Sequence, residues 1–210
     1  MNETEQRRAT QLLQLARNGD AESLETLLAS YIGYLKVLSH SQLDPRVRGR
    51  LSASDLVQES LLEAHRDFTK FAGTTTAEFT GWLRKILVNN AARAVETHLL
   101  AAKRDYRREY SLDLLRQAAD ESHARLNSMT AVHRRGPASE AEHQEDLTVL
   151  SNAIEKLSTE YREVIVLRHV EGLTFADIAI RMNRSAGASR MLWMRAIEKL
   201  REAMSNENHE

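Results

Sequence analysis

Residues 173–201 constrain the fold of this chain more than any other stretch, because their pattern predicts two helices joined by a tight turn. Thr174 can cap the first helix, and Asp177 three residues later completes a capping-box pattern. Asn183 falls in the turn, where asparagine tolerates left-handed backbone angles, and Ser185 can cap the second helix. One face of each helix is predicted to be buried: Phe175, Ile178, Ala179 and Met182 in the first, and Ser189, Trp193, Ala196, Ile197 and Leu200 in the second.

The pattern alone leaves two interpretations of this helix pair open. Arg190 and Arg195 lie away from the apolar face of the second, longer helix. In one interpretation the pair is a helix-turn-helix whose second helix enters the major groove of DNA. In the other it is an ordinary helical hairpin whose arginines are solvated.

The composition favours an all-α chain, since 210 residues include only two prolines and eight glycines. The absence of cysteine excludes disulfides and thiolate metal sites. With a net charge of −1, a nucleic-acid-binding surface must be local, or a partner protein must supply much of the affinity. The polar start and the lack of a long apolar run predict a cytoplasmic protein without a signal peptide or membrane association.

A second informative stretch, residues 52–68, predicts a helix that begins with a capping box formed by Ser52 and Asp55. An apolar stripe leaves a set of acidic and amide side chains on the outer face. These outward residues are Asp55, Gln58, Glu59 and Glu63. The outer face is either simply solvated or a docking face for a basic partner.

A threonine-rich loop at residues 70–77 precedes a predicted helix over residues 78–100. Trp82 lies in the apolar stripe of this helix and is expected to pack in the core. Arginines on phosphate and amides on base edges would suit a nucleic-acid strand, whereas the alternative is a solvated helix. The residues that could contact such a strand are Thr74, Thr75, Thr76, Arg84, Lys85, Asn89 and Asn90.

The segment 111–140 loses helical periodicity in its second half, where Gly136 and Pro137 stand among small polar residues. This composition predicts a flexible linker and a domain boundary. We therefore expect two helical domains, over residues 7–100 and 141–203, with a linker over residues 101–140.

A search for catalytic chemistry finds little. Glu140 and His143 form the only Glu-x-x-His pair, whereas a di-iron bundle needs two such pairs and further glutamates. There is no glycine-rich phosphate loop and no nucleophile elbow. The missing catalytic constellation disfavours a helical enzyme. The sequence therefore predicts a protein that is not an enzyme and has no catalytic residues, cofactor, metal or small-molecule substrate.

Three stretches together resemble a bacterial RNA polymerase sigma factor of the small extracytoplasmic-function (ECF) type. They are DLVQESLLEAHRDFTKF at residues 55–71, FTGWLRKILVNNAARA at residues 79–94, and the helix pair with its preceding helix within residues 161–201. The resemblance covers most of the chain outside the linker and the termini. It implies that the two domains correspond to sigma region 2 and to sigma region 4 with its helix-turn-helix.

The resemblance also implies partners. The first domain would bind the β′ clamp helices of core RNA polymerase through Asp55, Gln58, Glu59 and Glu63. The threonine loop and the basic helix would hold the melted single strand of the downstream promoter element. The second domain would touch the β flap and read the upstream promoter element. Its DNA-contacting residues would be Arg184, Ser185, Ala186, Ala188, Arg190, Met191 and Arg195. An anti-sigma factor would be a further partner.

Several positions depart from the family's pattern. Ser189 places a hydroxyl in a slot that faces the core, which costs about 1–3 kcal/mol unless the hydroxyl finds a partner. Ala186 and Met191 stand where basic residues are common, and Glu96 and Thr97 stand where arginines are expected. These changes motivate an alternative function, a sigma-like interaction protein that occupies polymerase or a regulator without initiating transcription.

Overall fold

The computed structural model describes residues 3–42, 52–97, 112–132 and 140–207, and these ranges contain α-helices and no β-strand. The prediction of an all-α fold is confirmed. The first half holds α1 (Glu3–Arg17), α2 (Ala21–Ser30), α3 (Ile32–Gln42), α4 (Ala53–Asp67) and α5 (Thr76–Val95), with a 3-10 turn at Phe68–Lys70. The second half holds α6 (Leu112–Val132), α7 (Glu140–Lys156), α8 (Thr159–Ile165), α9 (Phe175–Arg181) and α10 (Ala186–Glu207), with a π-helical turn at Val166–Val170.

Helix α3 lies at the centre of the fold and packs against α4, α5, α6 and α7. Tyr34, Leu35 and Leu38 of this helix are completely buried. Because α3 touches helices from both predicted domains, its burial depends on their association. The domain bounds at 7–100 and 141–203 remain predictions.

One continuous apolar cluster of buried residues runs from Leu13 of α1 to Leu200 of α10, so the two predicted domains pack against each other. Gly33 permits the close crossing of α3 over α7. A Cβ atom at Gly33 would lie 2.2 Å from the Asn152 side-chain oxygen and 3.1 Å from the Asn152 Cα. Only a residue without a side chain lets the two backbones approach this closely.

Helix α6 differs from the expectation for its part of the sequence, which was predicted to be linker. Residues 101–111 and 133–139 of that linker lie outside the described residues, but residues 112–132 form a helix of 21 residues. The loss of periodicity expected in the second half of residues 111–140 is wrong up to residue 132. The reason is an apolar stripe at helical spacing, whose buried members are Leu115, Ala119, Leu126 and Met129.

Candidate nucleic-acid interface

The helix pair α9–α10 is built as the sequence pattern predicts. The Thr174 hydroxyl accepts a hydrogen bond from the Asp177 backbone N–H at 3.2 Å, and the Asp177 carboxylate accepts one from the Thr174 N–H. Asn183 adopts the left-handed region with φ 52°. The Ser185 hydroxyl accepts from the Ala188 N–H at 3.1 Å. These local hydrogen bonds fix where α9 begins and where α10 leaves the turn.

Every residue predicted to contact the upstream promoter element is exposed on this helix pair. Arg184 forms an ion pair with Glu160 of α8, and the Arg190 guanidinium lies 5.2 Å from the centre of the Phe175 ring. Exposure is what a DNA contact requires. The set comprises Arg184, Ser185, Ala186, Ala188, Arg190, Met191 and Arg195.

The inner face of α10 seals the core of the helix pair. Trp193 packs against Phe175 and donates an indole N–H to His169 Nε2 at 2.9 Å, which confirms its predicted packing role. Burial and the charge of Arg168 hold the pKa of His169 below its ordinary value. Ser189 is completely buried, and its hydroxyl has no hydrogen-bond partner among the residues that the structure describes.

The threonine loop caps the start of α5, so not all of its side chains are available to contact DNA. The Glu78 carboxylate accepts hydrogen bonds from the backbone N–H groups of Thr74 at 2.8 Å and Thr75 at 2.9 Å, and these bonds lower the pKa of Glu78. Thr74 and Thr75 are exposed. Thr76 is only 5% exposed, so the prediction that it contacts single-stranded DNA is corrected. As the first residue of α5, its side chain points into the core.

The basic and amide side chains of α5 fall into two groups. Lys85 is exposed and Asn89 is half-buried, so both can reach a ligand. Asn90 is 1% exposed; its amide donates to the Ser60 hydroxyl at 3.3 Å, and its oxygen accepts from Arg93 at 3.0 Å. The prediction that Asn90 contacts DNA is therefore corrected, since this amide joins α5 to α4.

Arg84 forms an ion pair with an acidic residue of α6 that is distant in the sequence. Its Nε donates to the Asp120 carboxylate of α6 at 2.9 Å, and the Arg84 side chain is only 20% exposed. No local sequence signal pairs these residues, because 36 positions separate them. This ion pair competes with any contact between Arg84 and DNA.

The outer face of α4 carries the residues predicted to bind polymerase. Asp55, Gln58 and Glu59 are exposed, and Asp55 also closes the capping box with Ser52. Glu63 differs from them, because its side chain is 16% exposed and accepts a bond from Arg93 Nη1 at 3.1 Å. Glu63 is thus already neutralised by α5.

Two exposed residues of α10, Gly187 and Met194, were not among the predicted DNA contacts. They share the outward face of the helix with Met191. The signal that could have found them is helical spacing, since positions 187, 191 and 194 follow the i, i+4, i+7 pattern of one helix face.

The described residues contain neither a cluster of three or more His, Asp or Glu side chains that could hold a metal ion nor a helix long and apolar enough to cross a membrane. The geometry defines a class of helical protein that presents a capped helix-turn-helix and, on a separate helix, an acidic outer face.

Comparisons with known proteins agree with this class. The family model described as Sigma-70, region 4 matches residues 147–200, which include α8, α9 and most of α10. The ECF RNA polymerase sigma-E factor of Haemophilus influenzae is 28% identical over 192 residues, which cover 90% of this chain and 91% of that protein. The RNA polymerase sigma-H factor of Pseudomonas aeruginosa is 26% identical over 200 residues, which cover 92% of each. The sigma factor CarQ of Myxococcus xanthus is 28% identical over 199 residues.

These relatives match nearly the whole chain, including the first half that lies outside the region 4 match. The chain is therefore similar, over nearly its whole length, to RNA polymerase sigma factors of the ECF type, and its residues 147–200 match sigma-70 region 4.

Proposed function

We propose that this chain binds core RNA polymerase and directs transcription initiation at specific promoters, as an ECF sigma factor. The observation that carries the proposal is the helix pair α9–α10 within the region 4 match, whose predicted DNA-contacting residues are all exposed. The role requires no catalytic group of its own, and we place it in the cytoplasm with RNA polymerase.

Polymerase docking is assigned to the outer face of α4. Asp55, Gln58 and Glu59 point away from the core, where carboxylates can meet the basic side chains of a partner. We assign the β′ clamp helices as that partner, and the β flap as the partner of the second domain. Glu63 contributes less, because Arg93 already neutralises it.

Promoter contacts are divided between the two domains. Thr74, Thr75, Lys85 and Asn89 form the accessible part of the single-strand surface, and Arg84 joins them once it leaves Asp120. The exposed residues of α10 read the upstream element. An anti-sigma factor is the further partner that the family resemblance suggests.

Reconstitution with core polymerase and genomic DNA, followed by mapping of transcript starts, tests the proposal. We expect new starts that share two spaced promoter elements. Stable binding to core polymerase without any new start would contradict the proposal and favour a sigma-like interaction protein.

Two substitutions test the assigned surfaces. Glu59→Lys should weaken core binding at least tenfold, because it reverses a charge on the docking face, whereas the same change at the exposed Glu22 of α2, outside both assigned polymerase contacts, should not. Arg190→Ala should weaken use of the upstream element and leave core binding unchanged. Equal loss of core binding in both glutamate variants would refute the α4 assignment.

A further inference from the structure

The outward face of α10 carries an apolar stripe. The buried face of the helix is centred on Ser189, Ala196 and Leu200. At about 100° per residue, the positions directly opposite are 187, 191 and 194. These are Gly187, which is exposed, and Met191 and Met194, which are 50% and 53% exposed. Glu198 is the next residue along this face and ends the stripe with a carboxylate.

The arginines of α10 flank this stripe. Helical spacing places Arg190 on one side of the stripe and Arg195 on the other. The Arg190 guanidinium also lies over the Phe175 ring of α9, which holds it toward one edge of the helix. In a major groove, flanking cations lie toward the phosphate walls, and the stripe lies toward the base edges.

Gly187 adds an independent observation. A Cβ atom added there would find nothing within 4 Å, so the fold places no steric demand on this position. Glycine inside a helix is unfavourable compared with alanine. The fold therefore does not require glycine at this position. On the face that we propose to meet DNA, the missing side chain leaves room for base edges to approach closely.

The chemistry of the major groove then limits what this stripe can read. Guanine is read by bidentate arginine or lysine, whereas the C5 methyl of thymine is the apolar group that base edges present to apolar side chains. We propose that Met191 and Met194 read T·A pairs of the upstream promoter element by contacting thymine methyl groups, and that Gly187 leaves the space for this contact. This inference rests on the proposed function.

Deoxyuridine lacks only the C5 methyl of thymine, so it isolates this contact. Upstream elements are first selected by the holoenzyme from a library with a randomised upstream region. Each thymine of the selected element is then replaced singly by deoxyuridine, and holoenzyme affinity is measured by competition. We expect at least one replacement to weaken binding about fourfold, the effect of one buried methyl group.

The variants assign the effect to named side chains. Met191→Ala combined with Met194→Ala should bind the thymine and deoxyuridine probes equally. Leu15→Ala, which truncates an apolar side chain 40% exposed on α1, should keep the full difference. If the holoenzyme initiates but no replacement matters, or if the double variant keeps the difference, the methyl readout is wrong and the proposed function stands. If the holoenzyme initiates nowhere, the proposed function itself fails, and the methyl readout fails with it.

A different observation supports a second inference, which concerns helix α6. On one side α6 holds Arg84 of α5 through Asp120 at 2.9 Å, beside an apolar contact of Val88 with Leu115. On the other side it reaches the π-helical turn of the second domain. The Ser122 hydroxyl and the Arg125 guanidinium both donate to the Val170 carbonyl, at 3.2 and 3.1 Å.

We infer that α6 is an intramolecular latch that ties the two domains together and keeps Arg84 from single-stranded DNA in the free protein. The docking face of α4 stays exposed in this arrangement. Polymerase can therefore bind before the latch opens, and release of α6 would supply Arg84 to the melted strand.

The test compares two acidic residues of the same helix. Asp120→Ala removes the carboxylate that pairs with Arg84, whereas Asp113→Ala removes an equal charge whose ion-pair partner among the described residues is Arg116 within α6, at 3.8 Å. We expect the free Asp120→Ala protein to bind a labelled single-stranded oligonucleotide at least threefold more tightly than the Asp113→Ala protein. Adding Arg84→Ala should abolish the gain. Equal affinities, or no measurable binding by either variant, would overturn the latch.

Discussion

Ser189 shows how one side chain can work against the stability of the fold. The hydroxyl is buried in α10 and has no partner within the described part of the chain, although the backbone N–H of the same residue donates to the Ser185 carbonyl. An unsatisfied buried hydroxyl carries the desolvation cost without the compensating bond. The sequence placed this residue on the buried face, but only the structure shows that its oxygen stays unpaired.

Ser189→Ala should therefore raise the free energy of unfolding by about 1–2 kcal/mol, because it removes the unpaired hydroxyl and favours the helix. Ser60→Ala is the matched control. Ser60 is equally buried, but its hydroxyl donates to the Leu56 carbonyl at 2.7 Å and accepts from Asn90, so its loss should be destabilising. Urea denaturation gives the free energy of unfolding of both variants. A lower free energy of unfolding for Ser189→Ala than for the unchanged protein would contradict the expectation.

His123 gives the protein a predictable pH response. Burial, together with the nearby Arg84 charge, lowers the pKa of His123 from 6.5 to about 4. Its ring contacts the Tyr34 hydroxyl and the Asn127 amide, each at 3.1 Å. The unfolded chain binds the proton more readily than the folded one, so stability is lost as pH falls from about 6.5 to about 4.

Thermal unfolding across this pH range checks the expectation. His123→Gln should flatten the dependence of the melting temperature on pH. Some slope should remain, because the pKa of His169 is lowered as well. An unchanged slope in the variant would show that His123 is not the responsible group.

At the scale of single elements, α4 combines a structural and a functional role at its first turn. Asp55 completes the capping box and also belongs to the proposed docking face. The Ser52 hydroxyl accepts from the Asp55 N–H at 3.1 Å and donates to the Asp55 carboxylate at 2.8 Å. Removing this hydroxyl therefore frees one carboxylate of the docking face and leaves all of its acidic side chains in place.

We expect Ser52→Ala to destabilise the protein by about 1 kcal/mol, the usual effect of losing a helix cap, and to leave affinity for core polymerase unchanged. Asp55→Ala should lower both stability and affinity. Ser54→Ala, at an exposed neighbour, is the control for both measurements. A drop in polymerase affinity with Ser52→Ala would mean that the cap and the docking face cannot be separated.

The elements themselves were predictable where their signals are local. Residues a few positions apart in the chain are enough to predict the capping boxes at Ser52 and Thr174, the left-handed Asn183, and the apolar faces of α9 and α10. Helix α6 is an exception: the glycine and proline that follow it indicate a linker, although its own apolar stripe has helical spacing.

At the scale of the whole molecule, the crossing of α3 over α7 holds the two predicted domains together. Besides the close approach at Gly33, Lys36 of α3 lies 3.7 Å from the Glu155 carboxylate of α7. The close approach at this crossing therefore depends on a position that has no side chain.

Gly33→Ala should lower the free energy of unfolding by about 1–2 kcal/mol, since overpacking at this crossing forces Asn152 to move. Gly81→Ala is the matched control, because a Cβ atom there meets nothing within 4 Å. It should stabilise the protein by about 0.5–1 kcal/mol. Denaturant titration gives the free energy of unfolding of both variants. Equal stabilisation by Gly33→Ala and Gly81→Ala would show that the α3–α7 crossing has room for a Cβ atom.

The sequence by itself determined the helical class, the capped helix pair and the outward position of residues such as Glu59 and Arg190. These features depend on side-chain types at fixed helical spacing, and each helix carries that information locally. The tertiary structure alone decided which candidates are accessible. Thr76 and Asn90 are buried, and Arg84 is bound by Asp120, because contacts between distant segments, which no local pattern encodes, determine burial and pairing.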